Sequence, residues 1–360
     1  MADAVKEWLE ESVTPEAIER TLKKMRSEKD TLASGAVPVI RPNVILSNFI
    51  ITLCSPLNEV RQKLEGLLEE LTVLIPSRFF IVSIADEDIK ELSTAVRLRE
   101  IKSSSGKEFY SEEIFIQTSK STLPLIPSLL RSLFASDVSI VSYVEGEPTG
   151  KEGSTVDELL HQLREICDLF LYDSKDFKNY SHAVSELFAL RRIVRPQKEV
   201  DSKKLAPTSV RLRDINWYRH ERLRSLLASL YDASSFSSSA IKEVEVILNQ
   251  EKPSATGLIL AGWLGEVLEN ESLVKIITSK PTSGQTESYI KVLVKGDGLE
   301  LAVSQDGDFF EVTSGGSTRR LNSKSSSVAQ LISLPIQSSG LDDYFTKSLE
   351  RSLTVCSKWA

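Results

Sequence analysis

The sequence predicts an α/β protein: a layered mixed sheet with helices on both faces, followed by a smaller α+β domain whose strands run antiparallel. Three observations predict it. From Asn43 to Asn216 short apolar runs alternate with amphipathic stretches of helical period, as expected of a sheet covered by helices. The serine-rich stretch "ASSFSSSA" (233–240) then interrupts the pattern. Behind it, strand-like runs follow one another across "GDG", "DGD" and "SGGS", tight turns that suit antiparallel neighbours.

The elements follow in order. Thr14 before Pro15 starts a first helix, because threonine can cap free amides and proline at the first helical position gives up no needed donor; the helix is expected to run to about Lys29. "ASGAVPVIRP" ends it. Strand "NVILSNFIITLC", helix "LNEVRQKLEGLLEELTVLI" and strand "RFFIVSIA" make a β-α-β unit, with Leu57, Val60, Leu64, Leu67, Leu68 and Leu71 on one helical face. "TAVRLREIKS" and "GKEFYSEEIFIQTS" read as a hairpin added to the sheet. Helix "LIPSLLRSLFA", strand "DVSIVSYVE", helix "TVDELLHQLREI", strand "CDLFLYDS", helix "YSHAVSELFALRRIV" and strand "SVRLRDIN" complete the series. In the second part, strand "IKEVEVIL" and helix "SATGLILAGWLGEVLE" precede strands "LVKIITSK", "SYIKVLVKG", "LELAVSQ" and "DFFEVTS", and "LDDYFTKSLERSLTVC" closes the chain as a helix. The expected domains are an N-terminal helical segment (1–35), an α/β domain (36–235) and an α+β domain (236–360). Whether 146–155 divides the α/β domain again is left open.

Composition removes several functions. Over 360 residues the formal charge is −7, which opposes broad binding to nucleic acid through phosphate neutralisation. The early acidic residues and the missing apolar run exclude a secretory signal of the usual pattern, and no apolar stretch is long enough to span a membrane, so a cytoplasmic protein is expected. Cys54, Cys167 and Cys356 have no C-x-x-C spacing; they offer neither a disulfide framework nor a zinc site and fit a reducing compartment.

Motif by motif, catalysis finds little support. "VEGEPTGKEGSTVDELL" has Gly146, Gly150, Lys151 and Gly153 between a strand and a helix, but only three residues separate the first two glycines and Glu152 stands where a phosphate loop needs a hydroxyl. No G-x-G-x-x-G follows any expected strand, so no dinucleotide cofactor is expected. His161, His182 and His220 lie on separate segments as helix-surface residues and form no metal-ligand set. The pairs Asp86 with Asp88 and Asp173 with Asp176 follow strands, where α/β proteins place ligands; helix caps and solvated turns account for them more cheaply.

The stretch "DINWYRHERLRSLLASLYD" (214–232) concentrates aromatic and basic residues where a strand gives way to a helix. It reads as a structural joint: Asp214 or Asn216 caps the helix, Trp217 buries its ring under the sheet, and Leu223, Leu226, Leu227 and Leu230 form an apolar face. It also reads as a partner surface, since Trp, Tyr and Arg are enriched where interfaces concentrate their energy; the candidate contacts are Trp217, Tyr218, Arg219 and Arg222. Base stacking by the same residues is the third reading.

"RPNVILSNFIITL", "IPSRFFIVSI", "SEEIFIQTS", "LPLIPSLLRSLFASDVSIVSYVEGEP", "DLFLYDSKDF", "LRDINWYRHERLRSLLASLYD" and "GLILAGWLGEVL", in that order over about 41–268, resemble the glucose-6-phosphate dehydrogenase assembly protein family, OpcA. The D-x-N-W segment, the strand ending in Asp173-Ser174 and the A-G-W-L segment around Trp263 carry most of the likeness. "VSIVSYVEGEP" and "YRHERLR" depart from the family's usual pattern and suggest a divergent branch. The resemblance implies a noncatalytic protein that associates with glucose-6-phosphate dehydrogenase and promotes its assembly or active state in the oxidative pentose phosphate route. The alternatives from the residues alone are a sugar-phosphate or nucleotide enzyme using Asp86, Asp173 or Lys151, and a nucleic-acid adaptor using the arginine cluster.

Overall fold

The structure, a computed structural model, describes residues 6–10, 14–33, 45–53, 57–85, 89–102, 108–145, 159, 161–163, 166–184, 211–233, 240–280, 289–297, 299–338 and 343–357. Two compact units interleave along the chain. The first comprises 1–172, 187–213 and 328–338, and the second 173–186, 214–327 and 339–360. The chain crosses between these two units several times.

The first sheet holds β1 (Lys6–Glu10), β2 (Ser47–Leu53), β3 (Ser77–Ile84), β4 (Ser93–Lys102), β5 (Glu108–Thr118), β6 (Ser139–Val144), β7 (Leu169–Tyr172) and β8 (Arg211–Asp214), in the order β1-β4-β5-β3-β2-β6-β7-β8. Strands β5, β3, β2, β6 and β7 pair in parallel, while β4 pairs antiparallel with β5 and with β1. That parallel run has the order of a doubly wound nucleotide-binding sheet, with its switch point between β2 and β6. Every residue of β2 and β3 is buried, which explains their continuous apolar character.

Helices α1 (Pro15–Ala33), α2 (Leu57–Leu74) and α3 (Ile126–Leu133) belong to the same unit. Thr14 Oγ1 accepts from the N–H of Ala17 at 3.2 Å, so the expected cap is formed. Successive residues of β5 show that both faces of the sheet are covered. Glu112 meets Arg78, at 2.7 Å, and Arg26 of α1; Glu113 meets Arg97 and Arg99, whose Nη1 atoms reach Glu65 of α2 at 2.9 and 2.8 Å. Neighbours in a strand point to opposite faces, so two adjacent carboxylates are buried under different helices and each is neutralised by two arginines.

The second unit contains α4 (Ile215–Arg219), α5 (Glu221–Ala233), α6 (Ala255–Val267) and a six-stranded sheet of order β10-β9-β11-β12-β13-β14. Its strands are β9 (Ile241–Leu248), β10 (Val274–Thr278), β11 (Ile290–Gly296), β12 (Leu299–Asp306), β13 (Phe309–Ser314) and β14 (Ser317–Asn322). All neighbours are antiparallel except β9 and β10. Helix α6 is buried from Ala255 to Gly265, which suits its lack of a polar face. Gly262 lets α8 (Asp343–Ser357) cross it backbone to backbone: a Cβ there would stand 2.2 Å from the carbonyl oxygen of Ser348.

Several features differ from the sequence reading. The first residues contribute the edge strand β1 as well as a helix. Strand β14 and helix α7 (Val328–Gln337) were not expected; α7 contains Pro335 and packs on α2 within the first unit. "TVDELLHQLREI" and "YSHAVSELFALRRIV" lie mostly outside the described residues, although 161–163 and 180–184 are helical.

Candidate functional site

The joint after β8 is built from short-range rules. Asp214 is extended (φ −104°, ψ 120°) and its Oδ1 accepts from the N–H of Asn216 at 2.9 Å, capping α4, and from the N–H of Ser174 at 3.1 Å. One carboxylate oxygen thus ties the start of α4 to the 3-10 turn Ser174–Asp176. The Asn216 amide nitrogen donates to Ser174 Oγ and to Thr256 Oγ1, both at 3.2 Å, which brings α6 into the same network. Arg219 grips Asp173 through two bonds, Nη1 to Oδ1 at 2.9 Å and Nη2 to Oδ2 at 2.6 Å, and adds Asn216 Oδ1 at 3.0 Å. The paired fork is the strong geometry for arginine and carboxylate.

Trp217 is 5% exposed. Its ring meets Phe345 edge-on at 5.5 Å and Arg224 stacks 3.5 Å over it while Arg224 Nη1 donates to the Trp217 carbonyl at 2.6 Å. Trp217 is therefore buried in the second unit, where it packs on Phe345 of α8, and has little surface to offer as a contact. Tyr218 and Arg219 are half-buried, and Arg219 is committed to Asp173. Arg222 is exposed and donates to the Lys324 carbonyl at 2.7 Å.

His220 (φ −104°, ψ 14°) separates α4 from α5. His161 and His182 are exposed as expected, but His220 keeps Nδ1 away from solvent. Burial, then the charges of Arg219 and Arg224, holds its imidazole down to about 3. Asp214 moves the other way, pushed up to about 7 by burial and then by the charge of Asp173.

Other candidates are quieter. The sequence between β2 and α2 has no glycine, and Glu145, after β6, is paired with Lys63 at 2.5 Å, the wrong sign to receive a phosphate. Asp86, Asp88, Lys151 and Cys54 lie outside the described residues. Burial pushes the thiols of Cys167 and Cys356 up, away from reactivity. Among the described residues no cluster of His, Cys, Asp and Glu could hold a metal, and no helix is long and apolar enough to cross a membrane. Trp263 of α6 is buried and lines an apolar cavity of about 210 Å³ with Leu227, Tyr231, Val244, Leu264 and Leu301.

Residues 210–349 match the family model for the C-terminal domain of a glucose-6-phosphate dehydrogenase subunit. The span includes the Asp214–Trp217 joint, all of α6 and the second sheet. No curated protein matches the chain. Solved structures similar to it include biliverdin reductase from Synechocystis sp. PCC 6803 (7% identity, 87% of this chain and 97% of that one, TM-score 0.43). A putative oxidoreductase from Thermotoga maritima (10%, 87% and 97%, 0.45) and glucose-6-phosphate 1-dehydrogenase from Mycobacterium avium (10%, 87% and 91%, 0.43) are similar to the same degree. Likeness at that level carries no inference about activity.

Proposed function

We propose that this chain, whose residues 210–349 match the model for the C-terminal domain of a glucose-6-phosphate dehydrogenase subunit, is a member of the OpcA family and a noncatalytic assembly factor or allosteric activator of glucose-6-phosphate dehydrogenase. The family domain over the second unit is the observation that carries this reading. Acting by protein–protein binding in the cytoplasm, the chain favours one state of the oligomeric dehydrogenase, and the activation it gives is bounded by its difference in affinity for the two states. The internal pairing of Asp173 with Arg219 supports the same view, since it removes the one described carboxylate on which the enzyme alternative drew. Of the four contact candidates, Arg222 and Tyr218 have surface to offer, and Trp217 and Arg219 hold the joint behind them.

Sedimentation and substrate-affinity measurements on the cognate dehydrogenase, with and without this chain, test the proposal. Co-migration together with a lowered substrate KM is expected. Unaltered sedimentation and kinetics would refute it, as would turnover of a phosphorylated sugar by the chain alone.

A further inference from the structure

The end of the second sheet has a surface that the joint does not use. Strand β14 is the terminal strand and all six of its residues are exposed. Its hairpin with β13 is regular: Ser314 pairs with Ser317 across Gly315 and Gly316, both at positive φ (56° and 79°), and the register continues unshifted to Phe309 and Asn322. Positive φ at both central positions is the two-residue turn whose flanking residues exchange hydrogen bonds. Hydrogen-bonded pairs alternate with open ones along an antiparallel ladder, so Ser317, Arg319 and Leu321 turn their backbones toward β13. The N–H and C=O groups of Thr318, Arg320 and Asn322 therefore point outward, along the free edge.

Proteins usually blunt such an edge with a proline, a bulge, a short strand or a covering element. Strand β14 has no proline and no bulge, and nothing among the described residues pairs with its outer edge. What it has is charge. Between Glu311 and Asp342 the chain holds Arg319, Arg320 and Lys324 and no acidic residue, in a protein of net charge −7. Arg320 stacks 3.9 Å over Phe309, and among the described residues neither Arg319 nor Arg320 has a carboxylate within ion-pair distance. Arg222, bonded to the Lys324 carbonyl, extends the patch to the joint.

We propose that β14 is a docking edge that receives an extended acidic segment of the dehydrogenase as a seventh strand of the second sheet. This rests on the proposed function above and names the surface it uses. Arg319 and Arg320 project to opposite faces, so the incoming strand must carry a carboxylate on each face, meaning acidic residues at adjacent positions. The same arginines disfavour a second copy of this chain, because β14 laid against β14 brings arginine near arginine. Backbone bonds supply the attraction of strand addition, and the charges select the partner.

The test uses the full chain and the cognate dehydrogenase in a sedimentation titration. Arg319→Glu with Arg320→Glu should weaken association about tenfold or more and flatten its salt dependence. Thr318→Pro, which removes one outward N–H and no backbone bond to β13, should weaken it severalfold with both arginines in place, and Thr318→Val, which removes only the hydroxyl bonded to Thr313 at 3.0 Å, should not. Lys252→Glu, an exposed charge reversal elsewhere, should leave association unchanged. Wild-type affinity in the first two variants, with the unaltered chain binding, overturns the docking edge and leaves the proposed function standing. Failure of the unaltered chain to bind overturns both. Self-association of the chain that the arginine variants abolish would assign the edge to a second copy and also overturn the proposal.

Discussion

Arginine does opposite work in two regions of the second unit. At the joint, Arg219 and Arg224 are spent internally, one on Asp173 and Asn216, the other on the face and carbonyl of Trp217. On β14, Arg319 and Arg320 stand on an exposed edge and make no ion pair among the described residues, although Glu311 is the register partner of Arg320 across the ladder. The residue type is the same, and what separates scaffold from docking surface is whether the charge is already answered. An arginine held by a fork of bonds cannot serve a partner without first breaking them, whereas one left in solvent costs little to recruit.

The sharpest way to break this comparison is Trp217→Ala. It removes a ring packed on Phe345 and leaves Arg224 without its stacking surface, so a loss of about 3–5 kcal/mol in unfolding free energy is expected by urea denaturation. Association with the dehydrogenase, corrected for the folded fraction, should not change. A folded variant that specifically loses association would return Trp217 to the interface.

Next comes pH. Between about 4 and 7 the folded chain keeps a proton on Asp214 that the unfolded chain has released, so this group makes stability fall as pH rises, with the loss complete above about 7. His220 acts oppositely: it stays neutral in the fold while the unfolded imidazole is protonated, so stability falls as pH drops from about 6.5 to about 3. Asp214→Asn keeps an oxygen for the two N–H donors and removes the charge. It should gain on the order of 2–3 kcal/mol at pH 8 and nearly nothing at pH 4, read from urea midpoints at the two values. An equal effect at both would show that the carboxyl does not titrate in this window.

How much of this was legible in the sequence depends on how local the cause is. The β-α-β series, the Thr14 cap, the Asp214 cap and the hairpin of β4 with β5 follow from periodicity and capping over a few residues, and they stand where expected. Trp217 could not be placed that way, since Phe345, the residue that buries it, lies far along the chain. Strand β14 escaped for a different reason. "STRRLN" faces solvent on both sides and lacks the alternation that marks a half-buried strand, so only its pairing with β13 reveals it. The surface proposed for docking was thus the hardest part to read, because all six of its residues are exposed and leave no apolar alternation in the sequence.

Asp173→Ala sharpens the contrast at intermediate size. It removes both bonds of the fork that holds the half-buried Arg219, and about 1–3 kcal/mol should be lost. A thermodynamic cycle with Arg219→Ala should recover a coupling of about 1 kcal/mol or more, because the pair is bidentate and partly shielded from water. Additive losses would mean that the ion pair does not organise the joint.

The smallest effect belongs to the edge. Arg319→Ser and Arg320→Ser remove side chains that are exposed and, among the described residues, make no ion pair; only the stacking of Arg320 on Phe309 is lost, and exposed cation–π contacts are worth little. Each should change unfolding free energy by less than about 0.5 kcal/mol, beside several for Trp217→Ala. Near silence in stability joined to a clear loss in dehydrogenase association is what separates a recognition charge from a structural one. If either serine variant instead cost as much as Asp173→Ala, β14 would be held by its arginines as the joint is held by Arg219, and the two regions would differ in position only.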